Sequence, residues 1–365
     1  MNYDVVIIGA GPSGIAAGHN IINNKLSCCI IDKQVFPRNK LCAGGVTQKT
    51  FELLKSLNLG QEFKGENTII SKSVSIYLKD KYITDIECKG NTYLVDRFEF
   101  DEYLVRAYEK KGGKLIKNID TENNIITLYD NQNIKFKYII GADGAVGITR
   151  SLVDKDIKPN GFCLQVDVDK INTNYNSDKM SMYYGVLPYG YGWIFPKKNH
   201  LSVGFIGEYD KKIDYKCEFE KFLSSVGINC DRSEFKGAFI PFGQYLNKPI
   251  NQDKNLLLVG DAAGFVDPIT GEGIYFAVLS GLKASETIVK AIKNEDINII
   301  DEYTYEVYNI TNSIKKGSKL KKVIYNYKNP IFNSMKNKKI GSFMFNDCVY
   351  NSNYDILKTL NNKRL

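Results

Sequence analysis

Three glycines and an acid mark the first place in this sequence where chemistry is expected. Gly9, Gly11 and Gly14 stand at GxGxxG spacing, after the apolar run Val5-Val6-Ile7-Ile8 and at the start of a helix-forming stretch. Asp32 closes a second apolar run, Cys28-Cys29-Ile30-Ile31. A strand, a glycine-rich turn, a helix and a second strand ending in an acid form a dinucleotide-binding βαβ unit. Gly9 permits the tight turn, Gly11 lets the backbone approach a pyrophosphate, and Gly14 lets the helix pack close to the sheet. The pyrophosphate is then expected at the helix N-terminus, where free N–H groups and the macrodipole favour an anion. A carboxylate at Asp32 suits a ribose 2′-hydroxyl and repels a 2′-phosphate, so FAD or NAD fits and NADP does not. Gly141-Ala142-Asp143-Gly144 does not make a second GxGxxG, so no separate nicotinamide domain is expected.

A second cluster is aromatic. In Pro188-Tyr189-Gly190-Tyr191-Gly192-Trp193-Ile194-Phe195-Pro196-Lys197, strand alternation predicts Tyr189, Tyr191, Trp193 and Phe195 on one face. Gly190 and Gly192 leave the other face bare. An aromatic wall of this kind suits a long apolar ligand beside a flat ring, and an ordinary aromatic sheet core is the plain alternative. Other chemistries are argued against by residue counts. The eight cysteines include no CxxC pair, and the two histidines, His19 and His200, lie far apart. Neither a disulfide framework, a zinc site nor a histidine triad is expected, and no metal.

These residues need elements to hold them. At 365 residues, 43% hydrophobic and 25% charged, the chain is an ordinary globular protein with room for two or three domains. The reading is α/β: a Rossmann-like FAD-binding domain with an inserted antiparallel β-sheet substrate domain and a C-terminal helical region. The FAD-binding domain is expected to be discontinuous, over 1–65, 95–155 and 250–295. The sheet domain takes 66–94 and 156–249, and the helical region 296–365. Within this scheme a helix is predicted near 49–57, a hairpin over 73–78 and 81–88, and a helix over 98–111 with Phe100, Tyr103, Leu104 and Tyr108 on one stripe. Strand-like alternation recurs between 161 and 243. A buried strand at 256–259 then leads to a long helix from about Gly271.

Three further runs come in a telling order: Arg38-Asn39-Lys40-Leu41-Cys42-Ala43-Gly44-Gly45, then Asp143-Gly144, then Gly260-Asp261-Ala262-Ala263-Gly264 continuing to Pro268-Ile269-Thr270-Gly271-Glu272-Gly273. With the aromatic run, which matches P-x-x-Y-x-W-x-F-P in full, the chain resembles the geranylgeranyl reductase family over residues 1 to about 295. That family shares the para-hydroxybenzoate-hydroxylase-like flavoprotein fold. The resemblance implies FAD as cofactor. Around it are expected Gly9, Gly11, Pro12, Ser13 and Gly14, then Asp32, Lys33, Arg38, Cys42, Ala43 and Gly44, with Arg97 and Asp143. Gly260, Asp261, Pro268, Gly271, Gly273 and Ile274 complete the cofactor set. Asp261 would bond the ribityl chain, and Gly271 and Gly273 would aim N–H groups at the N1/C2=O edge of the isoalloxazine. Arg97 would lie near the phosphate and ribityl region, and Asp143 near the pyrophosphate. Cys42 would face the substrate side, as a proton donor or a structural thiol. Ala43 replaces a glycine usual in the family, which questions the mobility of that loop.

The activity implied is reduction of carbon–carbon double bonds in a prenyl chain, on a lipid or a quinone, with Tyr189, Tyr191, Trp193 and Phe195 lining the substrate. NAD(P)H would dock transiently, or a reduced electron-transfer protein would supply electrons. A flavin monooxygenase on the same fold is the first rival. A halogenase is disfavoured because its W-x-W-x-I-P pattern meets Tyr191 and Phe195 here. A membrane-surface electron carrier is the second. The formal charge of +8 is uneven: no acid occurs between Glu306 and Asp347, a span rich in lysine with interleaved Tyr and Phe. A peripheral contact of 314–345 with an anionic membrane fits this better than nucleic acid does, and a solvated helical tail is the bland alternative. The first strand starts almost at Met1 and no apolar run reaches eighteen residues, so a cytoplasmic protein is expected. The oligomeric state is not legible.

Overall fold

The computed structural model describes residues 2–60, 63–117, 120–122, 125–127, 133–173, 175, 177–293, 297–352 and 354. The chain begins with β1 (Asn2–Ile8), α1 (Pro12–Asn23), β2 (Cys28–Asp32), β3 (Gly45–Thr47) and α2 (Gln48–Ser56). A long hairpin, β4 (Ile69–Leu78) and β5 (Lys81–Leu94), precedes α3 (Arg97–Lys110), β6 (Lys114–Lys117), β7 (Asp120–Glu122), β8 (Ile125–Thr127), β9 (Asn133–Gly141) and the short α4 (Ile148–Ser151). Then come β10 (Gly161–Asp169), β11 (Met180–Leu187), β12 (Gly190–Pro196), β13 (His200–Glu208), α5 (Tyr215–Ser225) and β14 (Lys236–Ile240). The chain closes with β15 (Ile250–Asn251), β16 (Leu256–Leu258), α6 (Gly260–Ala263), α7 (Ile274–Lys293), α8 (Ile299–Glu306), α9 (Tyr308–Asn326), α10 (Lys328–Ser334) and α11 (Lys338–Val349).

Two sheets organise these elements. The first runs β15-β16-β9-β1-β2-β6, with β7 and β8 attached beyond β9. Its β16, β9, β1, β2 and β6 pair in parallel. Strands covered on both faces read as continuous apolar runs, and Val5, Ile7, Ile30, Ile140 and Leu257 are buried here accordingly. Cys28 and Cys29 are both buried and join opposite faces of the sheet, one cluster each.

The second sheet runs β14-β10-β13-β12-β11-β4-β5-β3. It is not wholly antiparallel as expected: β4 pairs with β11 in parallel. The chain leaves this sheet after β5, builds much of the first one, and returns, and a long excursion allows the two ladders to meet in either sense. One face of the sheet is covered by α5, with Phe219 and Phe222 packed on Leu164, Val166, Val203 and Phe205. The other face is covered by the C-terminal helices, with Met180, Met182 and Trp193 in one cluster with Phe332 and Phe345.

That packing corrects the reading of the tail. Ile314, Phe332 and Phe345 are buried, and Lys321 is 2% exposed. Lys321 pairs with Glu208 at 2.6 Å and lies over the Phe242 ring. Amphipathic helices turn their larger apolar groups to the core whenever a sheet is there to receive them. Lys315, Lys319 and Lys322 remain exposed on α9, with Val323 and Tyr327 beside them. No helix among the described residues is long and apolar enough to cross a membrane.

Candidate flavin and substrate cleft

The turn after β1 is shaped by close approach. Gly9 has φ +106°, and a Cβ there would fall 2.3 Å from the Ala142 carbonyl oxygen. A Cβ at Gly14 would fall 1.9 Å from the Gly9 oxygen, so α1 leaves the turn pressed against it. No described side chain caps the first amides of α1, Pro12 occupies its first position, and no acid sits in its first turn. An uncapped, acid-free N-terminus opening on a cleft is what a pyrophosphate requires. Asp32 Oδ2 accepts the Ala10 amide at 2.7 Å and Oδ1 accepts that of Gln34 at 2.8 Å, so this carboxylate braces the turn while lining the cleft.

Opposite, Asp101 from α3 is 1% exposed and gathers two arginines. Arg97 makes two bonds to it at 2.7 Å, and Arg38 Nη2 lies 3.2 Å away. Burial works against the Arg97 charge, but Asp101 outweighs it and the net pKa is raised. Two guanidiniums, with Asp101 against both and Asp32 also acting on Arg38, place fixed donors beside the uncapped helix. The residues present therefore fit a dinucleotide such as FAD.

The loop between β2 and β3 carries Cys42 into the same cleft. The Gly44 amide donates to Cys42 Sγ at 3.4 Å, and Arg97 also reaches the thiol. Beneath it, Lys197 is 1% exposed and donates from Nζ to the Ala43 carbonyl at 2.8 Å. Burial pulls the Lys197 pKa down to about 8. Gly44, at φ +75°, takes the left-handed position of the loop and Ala43 does not, so Ala43 introduces no backbone strain.

Between α6 and α7 the chain makes a compact turn. The Asp267 amide donates to the Glu272 carbonyl at 2.9 Å, and Asp267 Oδ1 accepts the amides of Ile269 and Thr270, each at 2.8 Å. Tyr191 donates its hydroxyl to the Thr270 carbonyl, fastening β12 to this turn. Beyond it the cleft becomes apolar, lined by Met180, Met182, Trp193, Phe195, Phe345 and Val349. The volume is about 500 Å³, within the range of small-molecule sites.

The comparisons agree with this geometry. The FAD binding domain family matches residues 2–316. A protein of Methanosarcina barkeri is 35% identical over 306 residues, 80% of this chain and 76% of that one. The digeranylgeranylglycerophospholipid reductase of Methanocaldococcus jannaschii is 33% identical over 320 residues, 80% of this chain and 78% of that one. The chain belongs to the geranylgeranyl reductase family of FAD-binding flavoproteins. A solved geranylgeranyl bacteriochlorophyll reductase-like protein from Thermoplasma acidophilum shares the fold, with a TM-score of 0.73 at 20% identity over 99% of both chains.

Set against what the family resemblance implied, most expected residues meet at the cleft. Gly9, Gly11, Pro12, Ser13, Asp32, Lys33, Arg38, Cys42, Ala43, Gly44, Arg97, Asp143, Asp261, Gly271, Gly273 and Ile274 all line it. Gly14, Gly260 and Pro268 do not. A Cβ at Gly260 would meet the Ser13 side chain, and Pro268 packs at Gly243 and Gly317, so these positions support the lining from behind. The Asp143 carboxylate is turned to the start of α4, where it accepts the amide and hydroxyl of Thr149. Tyr189 lies outside the wall: Pro188 and Tyr189 form the β11–β12 hairpin turn, with Tyr189 at φ +51° and its ring against Tyr325. The second face of β12 is not bare, because a Cβ at Gly192 would lie 2.6 Å from the Phe222 ring of α5. Sequence reasoning missed Asp101, Met180, Met182, Phe345 and Val349. Only Asp101 left a signal, the i,i+4 spacing from Arg97 on a predicted helix.

Proposed function

We propose that this flavoprotein reduces carbon–carbon double bonds in the prenyl chains of a membrane lipid, of the kind named for its digeranylgeranylglycerophospholipid reductase relatives. The observation that carries the proposal is the continuity of one cleft. It runs from an uncapped helix N-terminus and an arginine pair, past the Gly271 turn, into a chamber of methionine and aromatic side chains. FAD, when bound and reduced, supplies the hydride. Gly11, Ser13, Arg38 and Arg97 would hold its charged end, and Asp261, Gly271 and Gly273 the end near the chamber. Trp193, Met180 and Met182 align an alkene and exclude water. Cys42, whose Sγ accepts the Gly44 amide at the cleft, would supply the proton that the second alkene carbon needs. Electrons come from NAD(P)H docking transiently or from a reduced electron-transfer protein. The exposed lysines of α9, with Val323 and Tyr327, would meet anionic lipid at the membrane surface.

The test is product mass. Holoprotein reduced under anaerobic conditions should convert a digeranylgeranyl glycerophospholipid to species heavier by two hydrogens per saturated bond. A product that has gained oxygen, formed only in air, would replace this reading with a monooxygenase.

A further inference from the structure

The described residues after α11 lie beyond those matched by the FAD binding domain family, yet Ser352 and Tyr354 reach the two ends of the turn that borders the apolar chamber. At one end, Asp267 divides its carboxylate. Oδ1 holds the amides of Ile269 and Thr270, and Oδ2 accepts the hydroxyl of Tyr354. Asp267 is 1% exposed and Tyr354 is 7% exposed. At the other end, Glu272 accepts Lys49 Nζ at 2.8 Å and Thr47 Oγ1 at 2.8 Å, and the same Lys49 amine donates to Ser352 Oγ at 3.1 Å. Room for the Tyr354 ring is made by α9. A Cβ at Gly317 would lie 3.2 Å from that ring and 2.9 Å from Pro268. Ser352 is itself anchored away from the turn by Ser313, which donates to Ser352 O at 3.0 Å.

We infer that Ser352 and Tyr354 form a strap that fixes the 267–272 turn, with Tyr354 as a positioning residue acting through Asp267. The physical argument is preorganisation. The Gly273 amide, at the exit of this turn, can stabilise charge on a reduced flavin ring only if its direction is fixed before the charge develops. The Asp267 carboxylate takes up the Ile269 and Thr270 amides and so fixes the turn that carries Gly273, and it is held in place by a hydroxyl from the strap. Removing that hydroxyl leaves a buried carboxylate oxygen without its donor, and the carboxylate becomes free to turn away from Ile269 and Thr270. This inference rests on the flavin reading for its electrochemical consequence, but not for its structural one.

The test compares Tyr354→Phe with Tyr350→Phe, which removes a hydrogen bond to Gly90 O at 2.7 Å, outside the strap and away from the turn. In the holoprotein, Tyr354→Phe should lose about tenfold of the preference for reduced over oxidised flavin, a fall of about 30 mV for a two-electron couple. Tyr350→Phe should leave the potential at the wild-type value. Amide hydrogen exchange supplies a second readout that needs no flavin: the 269–271 amides should exchange faster in Tyr354→Phe than in wild type or in Tyr350→Phe. Unchanged exchange in Tyr354→Phe, or an equal change in both variants, overturns the strap. Altered exchange with an unaltered potential overturns the link to the flavin and leaves the strap standing as a structural tie.

Discussion

Trp193 sits where two demands meet. Its ring is in edge contact with Tyr191 at 6.4 Å, its indole N–H reaches Ser202 Oγ at 3.4 Å, and it is 5% exposed. Its ring also lines the apolar chamber, so truncation should open that chamber without touching the groups around Gly11 or Arg97. Trp193→Ala is expected to lower turnover of a long prenyl substrate by an amount equivalent to roughly 2–4 kcal/mol. Flavin content after purification should stay near that of wild type. A variant that loses flavin while its holo fraction turns over normally would mark Trp193 as a core residue only. Its neighbour Tyr191 differs in kind, since its hydroxyl is spent on Thr270 and its main effect is on the turn.

At the scale of elements, α1 combines an open N-terminus with a fully buried imidazole. His19 is 2% exposed, and its ring has no well-formed hydrogen bond, only a weak approach to the Leu57 backbone. Burial first, and Lys111 second, hold its pKa below the ordinary histidine value. The unfolded chain therefore takes up a proton near pH 6.5 that the folded chain refuses, and stability falls as pH drops below that value. The contribution is fully present above about pH 6.5, and the slope attributable to this residue is at most about 1.4 kcal/mol per pH unit. His19→Leu should flatten the decline between about pH 6.5 and 5.5 in denaturant titrations, and identical slopes would show that His19 titrates normally. Elements were largely legible in the sequence where a period was strict. Of the stripe Phe100, Tyr103, Leu104 and Tyr108, all but the half-buried Tyr103 are buried as read, and so is the run at 256–259. What failed was context. Nothing in Pro188-Tyr189 distinguishes the last residue of a hairpin turn from the first of a strand, and nothing in Gly192 shows that a ring from α5 comes to rest on it.

Across the whole molecule, the glycine turn, the Arg38 loop and the Gly271 turn lie far apart in sequence and meet at one cleft, an order the motifs already implied. The far wall was not legible, because Phe345 and Val349 come from α11, where no motif marks them and only packing against the second sheet selects the inward face. The same packing decides which lysines can meet a membrane. Charge reversal at Lys315, Lys319 and Lys322 should reduce sedimentation with anionic vesicles, each lysine contributing about 1 kcal/mol near such a surface. The effect should fade as salt rises. Reversal of Lys321 should instead destabilise the fold, since its amine is buried against Glu208 and Phe242. Failure of wild type to sediment at low salt would remove the membrane from the account.

The most direct measurement of the central claim is an anaerobic mixing experiment on the reduced holoprotein. The flavin should reoxidise on addition of a digeranylgeranyl glycerophospholipid with oxygen excluded, at a rate that rises with lipid concentration and is slowed in Trp193→Ala. A flavin that stays reduced with the lipid present, and reoxidises only when oxygen is admitted, would contradict it.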